Sequence, residues 1–249
     1  MSSAAPSYRV KALLLAGGLG TRLRPLTETT PKCLIDIGNQ PLLAYWIDAL
    51  RAAGVIEAAI NNHHLPDQVR AYLNQVNADG SVTLHESYEP ELLGSAGTIH
   101  ANRGLADDAD CIIVIYADNL SDMNLAALVS YHHNHGLPMT MALFRAPNPK
   151  QAGIATLDAT STVVAFTEKP ENPASDLANA GVYALTPEAY REIADMNAFD
   201  VGFDVLPKFV GRMKGWPWEG YHLDIGTHEA LERARADVGR VFRREADLG

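Results

Sequence analysis

Short apolar runs alternate along this chain with stretches whose apolar residues recur every three or four positions. Lys11–Ala16 is a short apolar run, and Val55–Asn61, Val82–Glu86, Cys111–Tyr116 and Met139–Arg145 read as further strands. Between them, Pro41–Ala53 carries Leu42, Leu43, Tyr45, Trp46, Ile47 and Leu50 at helical spacing and stops at Gly54. Pro66–Leu73, Ser95–Arg103 and Leu125–Asn134 read as helices in the same way. Regular β-α alternation with short connections predicts an α/β fold with three layers, a mostly parallel, Rossmann-like sheet covered by helices on both faces. Ligands of such sheets sit beyond the carboxyl ends of the strands. The loop after Ala16 and the Asp118 after Tyr116 both lie there.

After about Pro147 the pattern changes. Gly153–Leu157 and Val163–Thr167 predict a hairpin, and Gly181–Leu185 a strand leading into a helix start at Thr186-Pro187-Glu188. Phe203–Val210 and the aromatic run Trp216–Tyr221 read as further strands attached to the first sheet, an added β-rich part forming the other wall of a cleft. Trp216-Pro217-Trp218 fits a packing or subunit contact better than a sugar platform. Thr227–Arg244 reads as a solvated amphipathic helix. The whole chain, 1–249, is expected to be one domain: a first part at about 8–146, a second at about 147–235, and a helix or tail at 236–249.

The segment Leu13 to Leu34, LLLAGGLGTRLRPLTETTPKCL, concentrates the chemistry. A buried strand empties into Ala16-Gly17-Gly18-Leu19-Gly20, then Thr21 and Arg22 follow, with Arg24 and Lys32 beyond. Glycines let backbone amides approach a phosphate chain closely. Arg adds a planar fork and Lys a compact charge. The spacing is neither a Walker loop nor the dinucleotide fingerprint.

Bulk properties narrow the classes. The 249 residues include 47% hydrophobic and 20% charged positions, enough for a large core, and the net charge is −10. A non-specific nucleic-acid binder is expected to be basic, so no nucleic-acid partner is expected. The cations at Arg22, Arg24 and Lys32 can still focus a polyanion into a cleft. Cys33 and Cys111 support neither a disulfide framework nor a metal site and read as packing residues. His63-His64 and the group His132, His133 and His135 lack ligand spacing. No run approaches the ~18 apolar residues of a membrane span and the start lacks a signal core, so a cytoplasmic protein with no membrane partner is expected.

Gly17 through Lys32 resembles the signature of the sugar-1-phosphate nucleotidyltransferases, the NDP-sugar pyrophosphorylases: G-G-x-G-T-R-[LM]-x-P-L-T, then P-K. Leu93-Gly94-Ser95-Ala96-Gly97-Thr98 is similar to their L-G-T-A-G loop, Phe166-Thr167-Glu168-Lys169-Pro170 to F-x-E-K-P, and Asn179-Ala180-Gly181-Val182-Tyr183 to N-x-G-[IV]-Y. Asp118 and Asp224 match the two metal-binding aspartates, with Ala117 where most relatives have Gly. The resemblance spans about residues 10 to 235.

What the resemblance implies is nucleotidyl transfer, with NTP and a sugar-1-phosphate as partners, Mg²⁺ as cofactor and an NDP-sugar for cell-surface polysaccharide as product. Arg22, Lys32, Asp118 and Asp224 would be catalytic, with Asp118 and Asp224 holding the metal. Ala16, Gly17, Gly18, Gly20, Thr21, Arg22, Asn62, Gly94 and Ser95 would bind nucleotide, and Glu168, Lys169, Asn179 and Gly181 the sugar phosphate. Arg22 and the loop amides would hold the β,γ-phosphates, Lys32 the α-phosphate and Lys169 the nucleophile. Ile60–Val69 and Tyr221–Thr227 are similar to segments of short mannose-1-phosphate and manno-heptose-1-phosphate guanylyltransferases, which points to GTP and a manno-configured sugar. A uridylyltransferase acting on a glucose- or muramic-type sugar-1-phosphate and a non-catalytic NDP-sugar-binding regulatory subunit remain the alternatives. A homo-oligomer is left open. A glycosyltransferase using a ready-made NDP-sugar shares the sheet type and is expected to carry a D-x-D metal motif. No acetylating β-helix domain is expected after the catalytic part.

Overall fold

The computed structural model describes residues 8–80 and 82–242. Its centre is β1 (Val10–Leu15), apolar except for Lys11, with parallel neighbours on both sides, β4 (Glu57–Asn62) and β6 (Cys111–Tyr116). Beyond β4 lies β5 (Thr83–Tyr88), also parallel. Leu15 pairs with Asn61 on one side and Tyr116 on the other, so the strands end together and their following loops meet at one edge.

Side-chain alternation divides the sheet into two faces. Ala12, Leu14, Ala58, Ile60, Ile113 and Ile115 pack with Leu43, Trp46, Ile47 and Leu50 of α1 (Leu42–Ala52), Val69 and Leu73 of α2 (Pro66–Asn77), and Leu128 of α4 (Leu125–His135). Leu13, Leu15, Ala59, Ile112 and Val114 pack with Ile99 of α3 (Gly94–Ala101), Tyr190 and Ile193 of α5 (Pro187–Ala194), and Phe209 of α6 (Leu206–Phe209). The expected three layers follow from that split. Helix starts are capped as their sequences imply: Asn124, Thr186 and Thr227 each accept the N–H of the residue three places on, and each such cap contributes about 1 kcal/mol.

The β-rich part grows from β11 (Leu177–Leu185), which runs against β6. Along one edge β11 pairs with β8 (Met139–Arg145), which pairs parallel with β12 (Met213–Pro217). Its first half also meets the hairpin of β9 (Gly153–Leu157) and β10 (Val163–Glu168). β1, β4, β5, β6, β8, β9 and β12 thus run one way, and β10 and β11 the other.

Several features depart from the sequence reading, among them Trp216–Tyr221, of which only Trp216 and Pro217 lie in a strand, the end of β12. Phe203–Val210 is not a strand: Val201–Val205 is a π-turn, followed by α6 with Pro207 in its first turn, where a missing N–H costs nothing. Two short ladders appear that no periodicity announced, β2 (Asp36–Ile37) with β3 (Gln40–Pro41), and β7 (Asn119–Ser121) with β13 (His222–Asp224). The last helix, α7 (His228–Val241), runs through the expected boundary at 236 and packs Leu231, Ala234 and Val238 against Ile37, Leu42 and Ile225. The end of the helix expected to reach Arg244, and the first seven residues used for the signal-peptide reading, lie outside the described residues. Among the described residues no helix is long and apolar enough to cross a membrane.

Candidate active site

The glycine loop leaves β1 and is pinned by Asn61, on the neighbouring strand β4. Asn61 Oδ1 accepts the N–H groups of Ala16 (2.6 Å) and Gly17 (3.1 Å). Its Nδ2 donates to Glu89 Oε1 (3.0 Å), which also accepts from Thr98 Oγ1 (2.5 Å), while Glu89 Oε2 accepts from Leu93 N (3.2 Å). Glu89 is 1% exposed, a buried carboxylate whose hydrogen bonds are all supplied by the site's own walls. A Cβ at Gly17 would stand 2.7 Å from Asn61 Nδ2, so glycine is required for this approach.

Pinning divides the loop. The Ala16 and Gly17 amides, expected to face phosphate, are spent on Asn61. The N–H groups of Gly18, Leu19, Gly20, Thr21 and Arg22 have no partner among the described residues. Gly20 turns left-handed at φ 61°, which gives the successive amides the concave form of an anion nest. Asn62 is placed differently from expectation. Its Nδ2 donates to Glu86 Oε1 (3.0 Å), and it borders neither pocket of the cleft. Alternation sends Asn62 to the face of Ile60 and Asn61 to the face of Ala59 and the cleft.

Asp118 and Asp224 are brought together by the β7–β13 ladder. Asp224 stands opposite Asn119, and Ile225 N donates to Asp118 O (3.2 Å). Between the carboxylates lies the Lys32 ammonium, 2.8 Å from Asp118 Oδ2 and 3.8 Å from Asp224 Oδ1. Lys32 is 7% exposed, whereas the two carboxylates are 41% and 59% exposed and open to the cleft. Burial and then the Asp118 charge push the Asp224 carboxyl above its ordinary range, while Lys32 and Arg22 pull it back. Lys32, expected at the α-phosphate, stands between the two aspartates. Arg22 passes close over Gly226, where a Cβ would meet its Nη2 at 2.6 Å.

Two pockets meet at this pair. The first, about 330 Å³, is bordered by Ala16, Gly17, Gly18, Lys32, Gly94 and Ser95. The second, about 590 Å³, is bordered by Arg22, Glu168, Lys169, Asn179, Gly181 and Asp224. Tyr116, Asp118 and Asp200 border both. Of the expected nucleotide residues, Ala16, Gly17, Gly18, Gly94 and Ser95 border the first pocket, whereas Arg22 borders the second together with all four expected sugar-phosphate residues; Asp118 borders both. Gly20 and Thr21, expected to bind nucleotide, border neither pocket.

Within the second pocket the β11 motif is partly self-satisfied. Asn179 Oδ1 accepts Gly181 N (2.9 Å) and its Nδ2 donates to Tyr183 Oη (2.6 Å). Gly181 is left-handed at φ 68°, and a Cβ there would come 3.0 Å from Tyr116. Burial raises the Glu168 carboxyl, Lys169 beside it opposes that rise, and Asp200 adds to it. Arg22 and Lys169 form no ion pair among the described residues, so their charge is available to a ligand.

Sequence reasoning missed Asn61, Glu89, Tyr116 and Asp200. Asn61 and Asn62 are adjacent polar residues at one strand end, and only the phase of alternation separates them. Other expectations are met: both cysteines are buried with thiols pushed up to about 12 by burial. Trp216 and Trp218 stack on each other at 5.5 Å away from both cleft pockets. Among the described residues no histidine group has a metal-holding arrangement. The D-x-D spacing Asp108-Ala109-Asp110 lies before β6, at the opposite strand end from the site, with Asp110 accepting Arg9 N (2.8 Å).

Comparisons with known proteins bear on the family and the fold. The nucleotidyl transferase family matches residues 11–240. Mannose-1-phosphate guanyltransferases of Emericella nidulans and Schizosaccharomyces pombe are each 32% identical over 222 residues, covering 87% of this chain and 61% of their own. The chain therefore spans about 61% of the length of these curated relatives. A solved UDP-glucose pyrophosphorylase complexed with UDP-glucose has the same fold at a TM-score of 0.79 and 22% identity, over 93% of this chain and 99% of that one. A Bacillus anthracis protein assigned as a glucose-1-phosphate thymidylyltransferase, solved with sucrose, has a TM-score of 0.82 at 24% identity, over 91% and 94%. With its glycine nest, paired aspartates and matching sheet, the chain belongs to the nucleotidyl transferase family.

Proposed function

We propose that the protein makes an NDP-sugar and pyrophosphate from an NTP and a sugar-1-phosphate, with GTP and a manno-configured sugar as its substrates. One observation carries the reading: Asp118 borders both a glycine-lined pocket and a second, cation-bearing one, and Asp224 joins it in the second across the shared Lys32. GTP and mannose-1-phosphate are supported by the names of the curated relatives. A cytoplasmic location, where nucleoside triphosphates are made, belongs to the same reading.

The sugar phosphate is already an anion, so the chain need supply no activated nucleophile. Its task is positioning and charge neutralisation at the α-phosphorus. The amides of residues 18–22 and the Arg22 guanidinium would take the departing β,γ-phosphates. Lys169 would hold the sugar phosphate, with Glu168 accepting from sugar hydroxyls. Lys32 lies between the two carboxylates and supplies a positive charge to both.

The residues also fit a divalent cation. Asp118 and Asp224 present hard oxygen donors to the cleft, and no third acidic, His or Cys ligand joins them among the described residues. Mg²⁺ favours such sites, with one or two carboxylates and the remaining positions left to water and phosphate oxygens. When bound it would supply charge neutralisation between two approaching phosphates.

The test is pyrophosphate release from each common NTP against a panel of sugar-1-phosphates with Mg²⁺. GTP with mannose-1-phosphate or a manno-heptose-1-phosphate is expected to give the highest kcat/KM. A preference for UTP with a glucose- or muramic-type sugar overturns the substrate assignment, and binding without turnover overturns the enzyme.

A further inference from the structure

Two phenylalanines on one short segment stand in solvent beside the cleft. Phe199 is 64% exposed and Phe203 58%. Single exposed apolar side chains are ordinary. These two differ because each borders a different pocket, Phe199 the glycine-lined one and Phe203 the cation-bearing one.

Their backbone is firmly held. Asp204 Oδ2 accepts the N–H groups of Phe199 (2.9 Å) and Asp200 (2.8 Å). Asp200 Oδ1 accepts Phe203 N (2.9 Å), and Ser95 Oγ accepts Val201 N (2.8 Å). Ala96 N donates to Phe199 O (3.0 Å), which ties the segment to the first turn of α3. The Phe199 ring lies against Gly94, where a Cβ would come 2.8 Å from it. The Lys169 ammonium sits 5.9 Å from the Phe203 ring centroid, so ring and phosphate-binding cation are neighbours. Anchored aromatic faces of this kind contribute binding without an ordering penalty.

We propose that this turn is a two-sided aromatic platform: Phe203 receives the C–H face of the sugar ring, and Phe199 packs on the nucleobase. The inference rests on the substrate reading above. A pyranose carries C–H bonds of slight positive character that suit the negative face of a phenyl ring. With its phosphate at Lys169, the ring of the same ligand falls beside Phe203. A nucleobase entering the glycine-lined pocket meets Phe199 at the rim, and bases of any kind stack on such faces.

Steady-state kinetics of the full chain, with the NTP and sugar-1-phosphate selected by the panel above, test this. F203A is expected to raise KM for the sugar-1-phosphate about tenfold, and F199A to raise KM for the NTP by a similar factor, each leaving the other KM unchanged. F203Y, which keeps the ring, is expected to restore the sugar KM. Thermal melting should be unchanged in all three, because the rings are exposed. An unaltered sugar KM in F203A, equal rises in both KM values, or no rescue by F203Y would overturn the platform while leaving nucleotidyl transfer standing. No pyrophosphate from the unsubstituted chain would instead sink the substrate reading, and the platform with it.

Discussion

Asp118 and Asp224 share one counter-charge, the buried Lys32 ammonium, at 2.8 Å and 3.8 Å. Shared neutralisation lets two carboxylates lie close in a partly desolvated cleft, where alone they would repel.

Loss of either charge partner should stop the chemistry and spare the fold. R22A and D118N are each expected to lower kcat at least ~100-fold, the scale set by removing one preorganised electrostatic group. Circular dichroism and melting should match the unsubstituted chain, since Arg22 has no ion-pair partner among the described residues and Asn can still accept from Lys32. A rate near that of the unsubstituted enzyme in either variant would remove the substituted residue from the mechanism.

Divalent cations should stabilise the protein through Asp224. Its folded pKa is raised above the ordinary carboxylate value. The folded state therefore holds its proton more tightly, and stability from this group falls as pH rises from that value through the folded pKa. Millimolar Mg²⁺ at pH 7 relieves the resulting repulsion, so Tm should rise, and more in the presence of NTP. In D224N the rise with Mg²⁺ alone should shrink or vanish; an undiminished rise places the cation elsewhere.

Asn61 should matter for both stability and nucleotide affinity. N61A frees two loop amides and removes donors from a buried carboxylate, each loss worth ~1–3 kcal/mol. The expected result is a lower Tm together with a higher KM for NTP and an unchanged KM for the sugar phosphate. N62A, one position along, should leave KM for NTP unchanged, because that side chain bonds Glu86 instead.

Acid should loosen the far end of α4. His135 Nε2 and His132 Nδ1 both bond the buried Thr140 hydroxyl, at 2.6 and 2.9 Å. Burial and the neighbouring His135 and His133 hold the His132 pKa down to about 3. His133, facing Asp110, and His135, facing Lys214, are also lowered, chiefly by burial. Depressed histidines stay neutral when folded, so their stability is complete above the unfolded value near 6.5 and is lost as pH falls through 6.5 toward 3. For His132 alone that is of the order of 4 kcal/mol by pH 3. Melting between pH 7 and 4 should show the drop, and H132F should flatten it; a pH-independent Tm contradicts the assignment.

Much of the fold was legible in the linear pattern because burial repeats with the period of each element. Cys111–Tyr116 is apolar throughout because β6 is covered on both faces, and α1 shows its buried stripe because one side meets the sheet. Phe203–Val210 was misread because its apolar residues suit a strand, while the decisive contacts, Asp200 and Asp204 gathering nearby amides, leave no periodic trace.

The amino-acid sequence by itself determined the chemistry available: the glycine loop, its cations and the matched motifs, since identity and local spacing decide which groups can hold phosphate. Only the tertiary structure decided how they are used. Which of Asn61 and Asn62 faces the loop depends on strand phase, and the union of Asp118 with Asp224 depends on a three-residue ladder too short to show periodicity. Such ladders form because surrounding packing fixes their ends. That information resides in contacts between distant segments rather than in the segments themselves.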